Sequence, residues 1–150
     1  MIRYDGTLTA ARAFAAEDRL AEWIHAYLCS DGHNKPFSDG LKLTERFYIG
    51  PLEMPLSLFR RCCGPEESMQ WKVHPEVFEA HVASLETAVR ERADLPPLIV
   101  QFTEDGFTLN DGNHRFEAFR RCGVERYAVI LWGTSPEDKE RFLREYAMYL

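Results

Sequence analysis

The stretch Asp111-Gly112-Asn113-His114-Arg115-Phe116-Glu117-Ala118 decides the fold of this chain, because a strand turns into a helix within it. Before it, two apolar segments within residues 97–109 are joined by the turn pair Asp105-Gly106, which predicts a β-hairpin. After it, Arg115, Ala118, Phe119 and Cys122 fall at helical spacing, and Gly123 is typical of a helix end. Proteins commonly bind phosphate at such a junction, so function is expected there.

Length and composition predict a single domain over residues 1–150 with a real hydrophobic core. The chain is 45% hydrophobic and 13% aromatic, which is not the composition of a disordered protein. Its net charge of -6 argues against a protein that holds duplex DNA by the phosphate backbone, because such binding requires a concentrated basic surface. Nucleic acid is therefore not an expected partner.

Targeting signals and cysteine usage indicate a protein of the cytoplasm. No apolar run approaches the roughly 18–20 residues that cross a bilayer, and the N-terminus lacks the layout of a secretion signal. No membrane association is expected. Of the four cysteines, Cys62 and Cys63 are adjacent, which is a poor arrangement for ordinary disulfides and favours free thiols.

The rest of the chain alternates helical and extended patterns. These patterns predict a helix over 17–29, a loop or short helix over 30–44, an edge strand over 47–56 with one helical turn over 56–61, a long surface connection over 62–71, a helix over 75–93, a buried strand over 126–132 and a final helix that Ser135 caps. The fold class is thus α+β, a small mixed sheet flanked by helices with an added N-terminal helix.

The chemistry of the junction favours an anion. Unpaired N–H groups of a first helical turn and the helix dipole attract negative oxygen, and Arg115 adds a forked donor. Asp111 suits a magnesium ion carried by a nucleotide, or a base that takes a proton from a substrate hydroxyl. A plainer alternative stays open, in which Asp111 only caps the helix and Arg115 pairs with Glu117 or another surface acid.

Two weaker hypotheses concern the connection over 62–71. Cys62 and Cys63 together with His74 or His81 suggest zinc, but their spacing fits none of the usual zinc patterns. Trp71 and Met69 are able to cover a nucleobase, or to fill the core where the connection folds back; the latter is favoured.

The region from about residue 50 to 133 resembles the ParB/sulfiredoxin-like superfamily. Three features carry the resemblance in order: the segment Pro51-Leu52-Glu53-Met54-Pro55-Leu56-Ser57-Leu58-Phe59-Arg60, a helix leading into Pro96-Pro97-Leu98-Ile99-Val100, and the Asp-Gly-x-His-Arg box at 111–115 followed by an apolar strand. The resemblance implies a core over 46–133, with a helical extension over 1–45 before it and a C-terminal helix over 134–150.

The resemblance also implies a nucleotide-phosphate site. In that superfamily the box holds phosphate oxygens, which points to Gly112, Asn113, His114 and Arg115 here, with Arg61 neutralising charge. The implied cofactor is a nucleotide (ATP, ADP or CTP) with Mg²⁺, for which Asp111 is the metal ligand. The implied partners are that nucleotide and a small-molecule substrate.

The sequence also departs from the superfamily's pattern. Sulfiredoxins place their reactive cysteine where this chain has Asn113, so reduction of sulfinic acid is not expected. The sequence ends one helix after the match, so clamp-type DNA partitioning is not expected either. Serine-kinase relatives use a glutamate after the early strand, where this chain has Phe59-Arg60-Arg61.

The leading function is a nucleotide-dependent phosphotransferase acting on a small hydroxyl substrate, with Asp111 and His114 as candidate catalytic residues. The alternative is a non-catalytic module that binds a nucleotide or a partner protein as a switch. A DNA-associated nuclease is a third candidate, disfavoured because two-metal cleavage requires more carboxylates than the box provides.

Overall fold

A four-stranded mixed sheet carries helices on both faces in the computed structural model, which describes residues 2–150. The helices are α1 (Leu8–Ala16), α2 (Leu20–Leu28), α3 (Lys35–Leu41), α4 (Pro75–Arg90), α5 (Asn113–Arg121) and α6 (Pro136–Glu145). The strands are β1 (Phe47–Pro55), β2 (Cys63–Gly64), β3 (Trp71–Lys72), β4 (Leu98–Thr103), β5 (Gly106–Asp111) and β6 (Arg126–Gly133). The predicted α+β class with a small mixed sheet is confirmed.

The main sheet has the order β1-β6-β4-β5. The central pair β4 and β6 is parallel, while β1 pairs with β6 and β5 pairs with β4 in antiparallel fashion. The predicted hairpin is present as β4 and β5, with Gly106 at φ +105 in its turn. The parallel pair requires a long crossover, and the hairpin, α5 and the following turn supply it. The box therefore lies at the end of β5.

Each central strand is buried on both faces, as its continuous apolar run predicts. Ile99 and Ile130 pack toward α1, α2 and α3, together with Trp23. Their neighbours Leu98 and Leu131 pack on the opposite face, in a core that also contains side chains of α5 and α6. Alternate residues along one strand therefore stabilise two separate cores.

The N-terminal region differs from the prediction of one added helix over 17–29. The predicted helix corresponds to α2, and a further helix, α1, precedes it; Asp18, at φ 58, separates the two. Thr7 caps α1 by accepting a hydrogen bond from the N–H of Ala10, which is the signal that marks this helix in the sequence. The expected loop or short helix over 30–44 is the short helix α3, which Asn34 caps.

The remaining elements lie close to their predicted places. β1 is an edge strand with an irregularity in its pairing between Ile49 and Leu52, where Gly50 and Pro51 fall. The turn after it is a 3₁₀ turn over Leu56–Leu58. The connection over 62–71 carries the two short strands β2 and β3, which pair in parallel. Between residues 2 and 150, no helix combines the length and apolarity that crossing a bilayer requires.

Candidate functional site

Gly112 joins β5 to α5 and determines how the box is packed. It adopts φ +100, which is a left-handed conformation that favours glycine. A Cβ atom at this position would lie 2.5 Å from Cδ2 of Leu98 and 2.9 Å from Nη2 of Arg115. The glycine thus permits the Arg115 guanidinium to pack directly against the backbone of the junction.

Arg115 is buried and makes its hydrogen bonds inside the protein. Its Nη1 donates to the hydroxyl of Tyr27 (2.9 Å), and its Nη2 donates to the carbonyl of Pro97 (3.0 Å) and to Oδ2 of Asp111 (3.2 Å). Its Nε–H has no acceptor within residues 2–150. The alternative in which Arg115 pairs with an acid of its own chain therefore agrees with the structure in part, but the acid is Asp111 and not Glu117.

Asp111 does not act as the cap of α5. The N-cap residue is Gly112, and no side chain accepts a hydrogen bond at this helix start. The Asp111 carboxylate forms a largely buried i,i+4 ion pair with Arg115 instead. This ion pair engages Oδ2 of the carboxylate.

Asn113 ties the 62–71 connection to the start of α5. Its Oδ1 accepts hydrogen bonds from the backbone N–H groups of Cys62 (2.8 Å) and Cys63 (3.2 Å). Its Nδ2 donates to the carbonyl of Leu109 at 3.3 Å. Both halves of the buried amide are therefore used by the fold.

His114 stacks on α4 and is neutral at pH 7. Its ring lies 4.3 Å from the ring of His81 and 5.1 Å from that of Phe78. Burial lowers the pKa of His114 to about 4, and the positive charges of His81, Arg115 and Arg61 contribute in the same direction. The neutral imidazole can donate one hydrogen bond and accept another, but it adds no positive charge for a phosphate.

One turn further along the helix lies Glu117, which the sequence analysis considered only as a surface partner of Arg115 but which is buried. Glu117 accepts hydrogen bonds from Arg61, Arg120 and Arg121, at 3.2 Å from Nε of Arg61 and 2.8 Å from Nε of Arg121. Burial alone would raise the pKa of Glu117, but the hydrogen bonds from Arg120 and Arg121 lower it to about 2. Arginines at i+3 and i+4 are the sequence signal for this cluster.

Arg61, predicted to neutralise a phosphate, is bound to two carboxylates. Its guanidinium donates to Glu117, to Glu66 and to the carbonyl of Cys63, and it lies 4.9 Å above the ring centre of Phe78. Arg61 contacts α5, the helix that begins with the box residues, but Arg61 and the box residues each bind different partners inside the protein.

An open cleft lies on the flank of α5, away from the box residues. It has a volume of about 1050 Å³, and we call it the arginine cleft. Its charged lining consists of Arg60, Arg61, Arg120, Arg126, Glu117 and Glu125. Its apolar lining includes Leu56, Phe59, Met69, Phe116 and Val124. Positive charge exceeds negative charge here, in a chain whose net charge is -6.

Two arginines of the arginine cleft are free to meet a ligand. Arg60 and Arg126 are exposed, and neither forms an ion pair with any residue of the described chain. Arg126 lies 5.7 Å from the ring centre of Tyr149, which orients it without neutralising it. Arg120 is also exposed but pairs with Glu117.

A smaller cavity of about 270 Å³ lies beside Arg115 and is lined by Asp5, Tyr27, Asp31 and His81, among others. Nowhere in the described chain do three or more His, Cys, Asp or Glu side chains come together as a metal site. Cys62 and Cys63 therefore form no such group with His74 or His81, and the zinc hypothesis has no support. Magnesium at Asp111 stays a prediction, because an ion carried by a nucleotide takes its other ligands from phosphate and water.

Met69 and Trp71, the two side chains suggested to cover a nucleobase, lie in different surroundings. Met69 is half-buried and lines the arginine cleft. Trp71 is 63% exposed and does not fill the core, contrary to the favoured alternative. The reason is that Trp71 belongs to the short strand β3, which pairs only with β2 at the surface.

Three solved structures are similar in fold to part of the chain. Sulfiredoxin from Arabidopsis thaliana has a TM-score of 0.40 and 20% identity, covering 65% of this chain and 98% of that one. A Pnob8-like ParB-N domain has a TM-score of 0.39 and 17% identity, covering 69% of this chain and 34% of that one. The chromosome-partitioning protein ParB from Caulobacter crescentus, complexed with CTP-gamma-S, has a TM-score of 0.40 and 14% identity, covering 67% of this chain and 53% of that one.

These structures come from the two groups of proteins that the sequence resembles. No protein-family description matches the sequence. No curated protein matches it either. At such TM-scores and identities, function must be argued from the site itself.

Proposed function

We propose that this protein binds a nucleotide in the arginine cleft, as a binding module without phosphotransfer chemistry. The observation that carries the proposal is the presence of two exposed, unpaired arginines, Arg60 and Arg126, in an open cleft of an acidic chain. Guanidinium groups bind phosphate oxygens through paired N–H donors, so unpaired arginines that converge on one cleft favour a polyanionic ligand.

The apolar lining favours a ligand that also carries a flat ring. Leu56, Phe59 and Phe116 form part of the cleft, and Met69 adds a flexible, polarisable side chain. Typical ligand pockets measure roughly 300–1,000 Å³, so a volume of about 1050 Å³ accommodates a nucleoside triphosphate. An apolar wall with a cationic rim thus matches a base joined to phosphates.

The three candidates for a general base, His114, Glu117 and Asp111, are poorly suited to accept a proton near neutral pH, which favours binding without catalysis. A good general base has a pKa near the working pH, whereas the pKa of His114 is about 4 and that of Glu117 about 2. The carboxylate of Asp111 is bound to Arg115. These features support the non-catalytic alternative over transfer of phosphate to a small hydroxyl substrate.

Isothermal titration calorimetry tests the proposal. CTP belongs in the panel because ParB from Caulobacter crescentus was solved with CTP-gamma-S; ATP, ADP and GTP complete it. We expect at least one nucleotide to bind with submillimolar affinity. The double variant Arg60→Ala/Arg126→Ala should weaken that binding at least about tenfold, equivalent to about 1.4 kcal/mol.

Two control variants locate the site. Arg144→Ala removes an exposed arginine of α6 that forms no ion pair in the described chain, and it should leave affinity unchanged. His114→Ala alters the box and should also have little effect. Absence of binding at millimolar nucleotide would overturn the proposal, and so would loss of binding in His114→Ala with none in the cleft variant.

A further inference from the structure

Arg61 and Glu66 form a bidentate ion pair. Its Nη1 donates to Oε2 of Glu66 at 3.1 Å and its Nη2 donates to Oε1 at 2.5 Å. The third direction of the guanidinium is taken by Glu117, through Nε at 3.2 Å. Arg61 therefore has one carboxylate across its two terminal nitrogens and another at its side.

The two carboxylates differ in how firmly they are held. The Glu117 side chain is 3% exposed and has two further arginine partners, so it is a fixed part of the interior. The Glu66 side chain is 44% exposed and has Arg61 as its ion-pair partner within the described chain. An ion pair at the solvent boundary is weak, so Glu66 is the partner that another anion can displace.

A carboxylate bound across both terminal nitrogens of an arginine has the same arrangement as two phosphate oxygens. Arginine binds carboxylate and phosphate through the same parallel pair of N–H donors. Arg61 also lines the arginine cleft, so the guanidinium that Glu66 holds belongs to a residue of the proposed binding site. Glu66 is thus placed as a substitute for a ligand anion.

We infer that Glu66 occupies the subsite on Arg61 that a phosphoryl group of the ligand takes, and competes with it as a built-in inhibitor. The inference rests on the proposed nucleotide-binding function and adds to it a place for one phosphoryl group and a means of regulation. A ligand whose phosphoryl group carries more negative charge than a carboxylate displaces Glu66 more readily.

Displacement of Glu66 has a consequence for the connection that carries it. The residues between β2 and β3 form a short loop, in which Ser68 and Met69 line the arginine cleft. The loop begins at Gly64, where a Cβ atom would lie 2.1 Å from Nη1 of Arg61 and 2.5 Å from Oε2 of Glu66. Release of the ion pair frees this loop to move against a bound ligand.

The test compares Glu66→Gln with Glu67→Gln, using the wild-type chain as reference. Glu67 is the matched control, because its side chain is 96% exposed and pairs with Lys72 at 3.0 Å, not with Arg61. Pyrophosphate and the nucleotide that binds most tightly are titrated into each protein. We expect Glu66→Gln to bind both about tenfold more tightly than the wild type, and Glu67→Gln to match the wild type.

Quenching of tryptophan fluorescence by iodide supplies a second readout. Trp71 follows the loop and is 63% exposed, whereas Trp23 and Trp132 are buried. Ligand added to the wild type should change the quenching of Trp71 in the same direction as Glu66→Gln does without ligand. A purely structural role of Glu66 would not produce this agreement.

The outcomes separate the inference from the proposed function. Binding by the wild type together with unchanged or weaker binding by Glu66→Gln overturns the inference and leaves the function in place. Equal tightening by Glu67→Gln also overturns it, because a general loss of negative charge then suffices. If neither the wild type nor either variant binds pyrophosphate or nucleotide, the function fails and the inference with it.

Discussion

The N-terminal start of α5 and the cleft on its flank use arginine in opposite ways. At the start of the helix, Arg115 is buried, paired with Asp111 and bonded to Tyr27 and Pro97. In the cleft, Arg60 and Arg126 are exposed and unpaired within residues 2–150. A buried arginine that is paired within the chain stabilises the fold, whereas an exposed and unpaired arginine is available to a ligand.

The largest expected effect is that of Arg115→Ala on stability. The substitution leaves the Asp111 carboxylate and the Tyr27 hydroxyl without their donor, in a place with little access to water. Breaking a buried ion pair by removing one partner costs about 3–5 kcal/mol. Urea denaturation should show a loss of this size, whereas Arg126→Ala should stay within about 0.5 kcal/mol of the wild type.

The contrast between the two regions would be contradicted if Arg126→Ala lost stability and Arg115→Ala did not. A stable Arg115→Ala protein that no longer binds nucleotide would make the box a ligand site and the cleft arginines irrelevant.

The second effect concerns pH and the buried Glu117. Its folded-state pKa of about 2 is below the ordinary value of 4.5, so its ionised form stabilises the fold. This contribution is fully present above pH 4.5 and is lost as pH falls toward 2. Glu117→Gln should therefore cost about 2–3 kcal/mol at neutral pH, and its deficit relative to the wild type should shrink below pH 4.5.

Denaturation at several pH values, with Glu79→Gln as control, measures this effect. Glu79 also pairs with Arg121 but is exposed, so its loss should matter much less. A deficit of Glu117→Gln that is the same at pH 3 and pH 7 would contradict the assignment of a stabilising charge.

The smallest of the three effects is expected for Asn113→Ala. The backbone N–H groups of Cys62 and Cys63 lose their acceptor, which should cost about 1–2 kcal/mol. Hydrogen exchange should speed up at these two amides, and Gln70→Ala in the same connection should leave their exchange unchanged. Unaltered exchange in Asn113→Ala would mean that the connection is held by other contacts.

The sequence predicts the sheet better than the site, for a physical reason. Periodicity and turn chemistry are local, so the hairpin over 97–109 and the helix that Ser135 caps are both confirmed. The division between α1 and α2 is not visible in the apolar pattern, because it depends on one residue, Asp18, in a left-handed conformation.

The site depends on partners that are distant in sequence. Nothing near Arg115 indicates that Tyr27, from the N-terminal helices, supplies its acceptor. Similarly, Arg61 pairs with Glu117, which lies 56 residues further along the chain. Residue types at the box predict affinity for an anion, but only tertiary packing decides which guanidinium groups remain available.

The three helices before β1 cover one face of the sheet at its central strands, where Ile99, Ile130 and Trp132 pack against them. A shortened protein that starts at β1 would expose this face to water and become prone to aggregation. Expression plasmids for crystallisation or for fusion partners should accordingly retain all three helices, even where the aim is to isolate the arginine cleft alone.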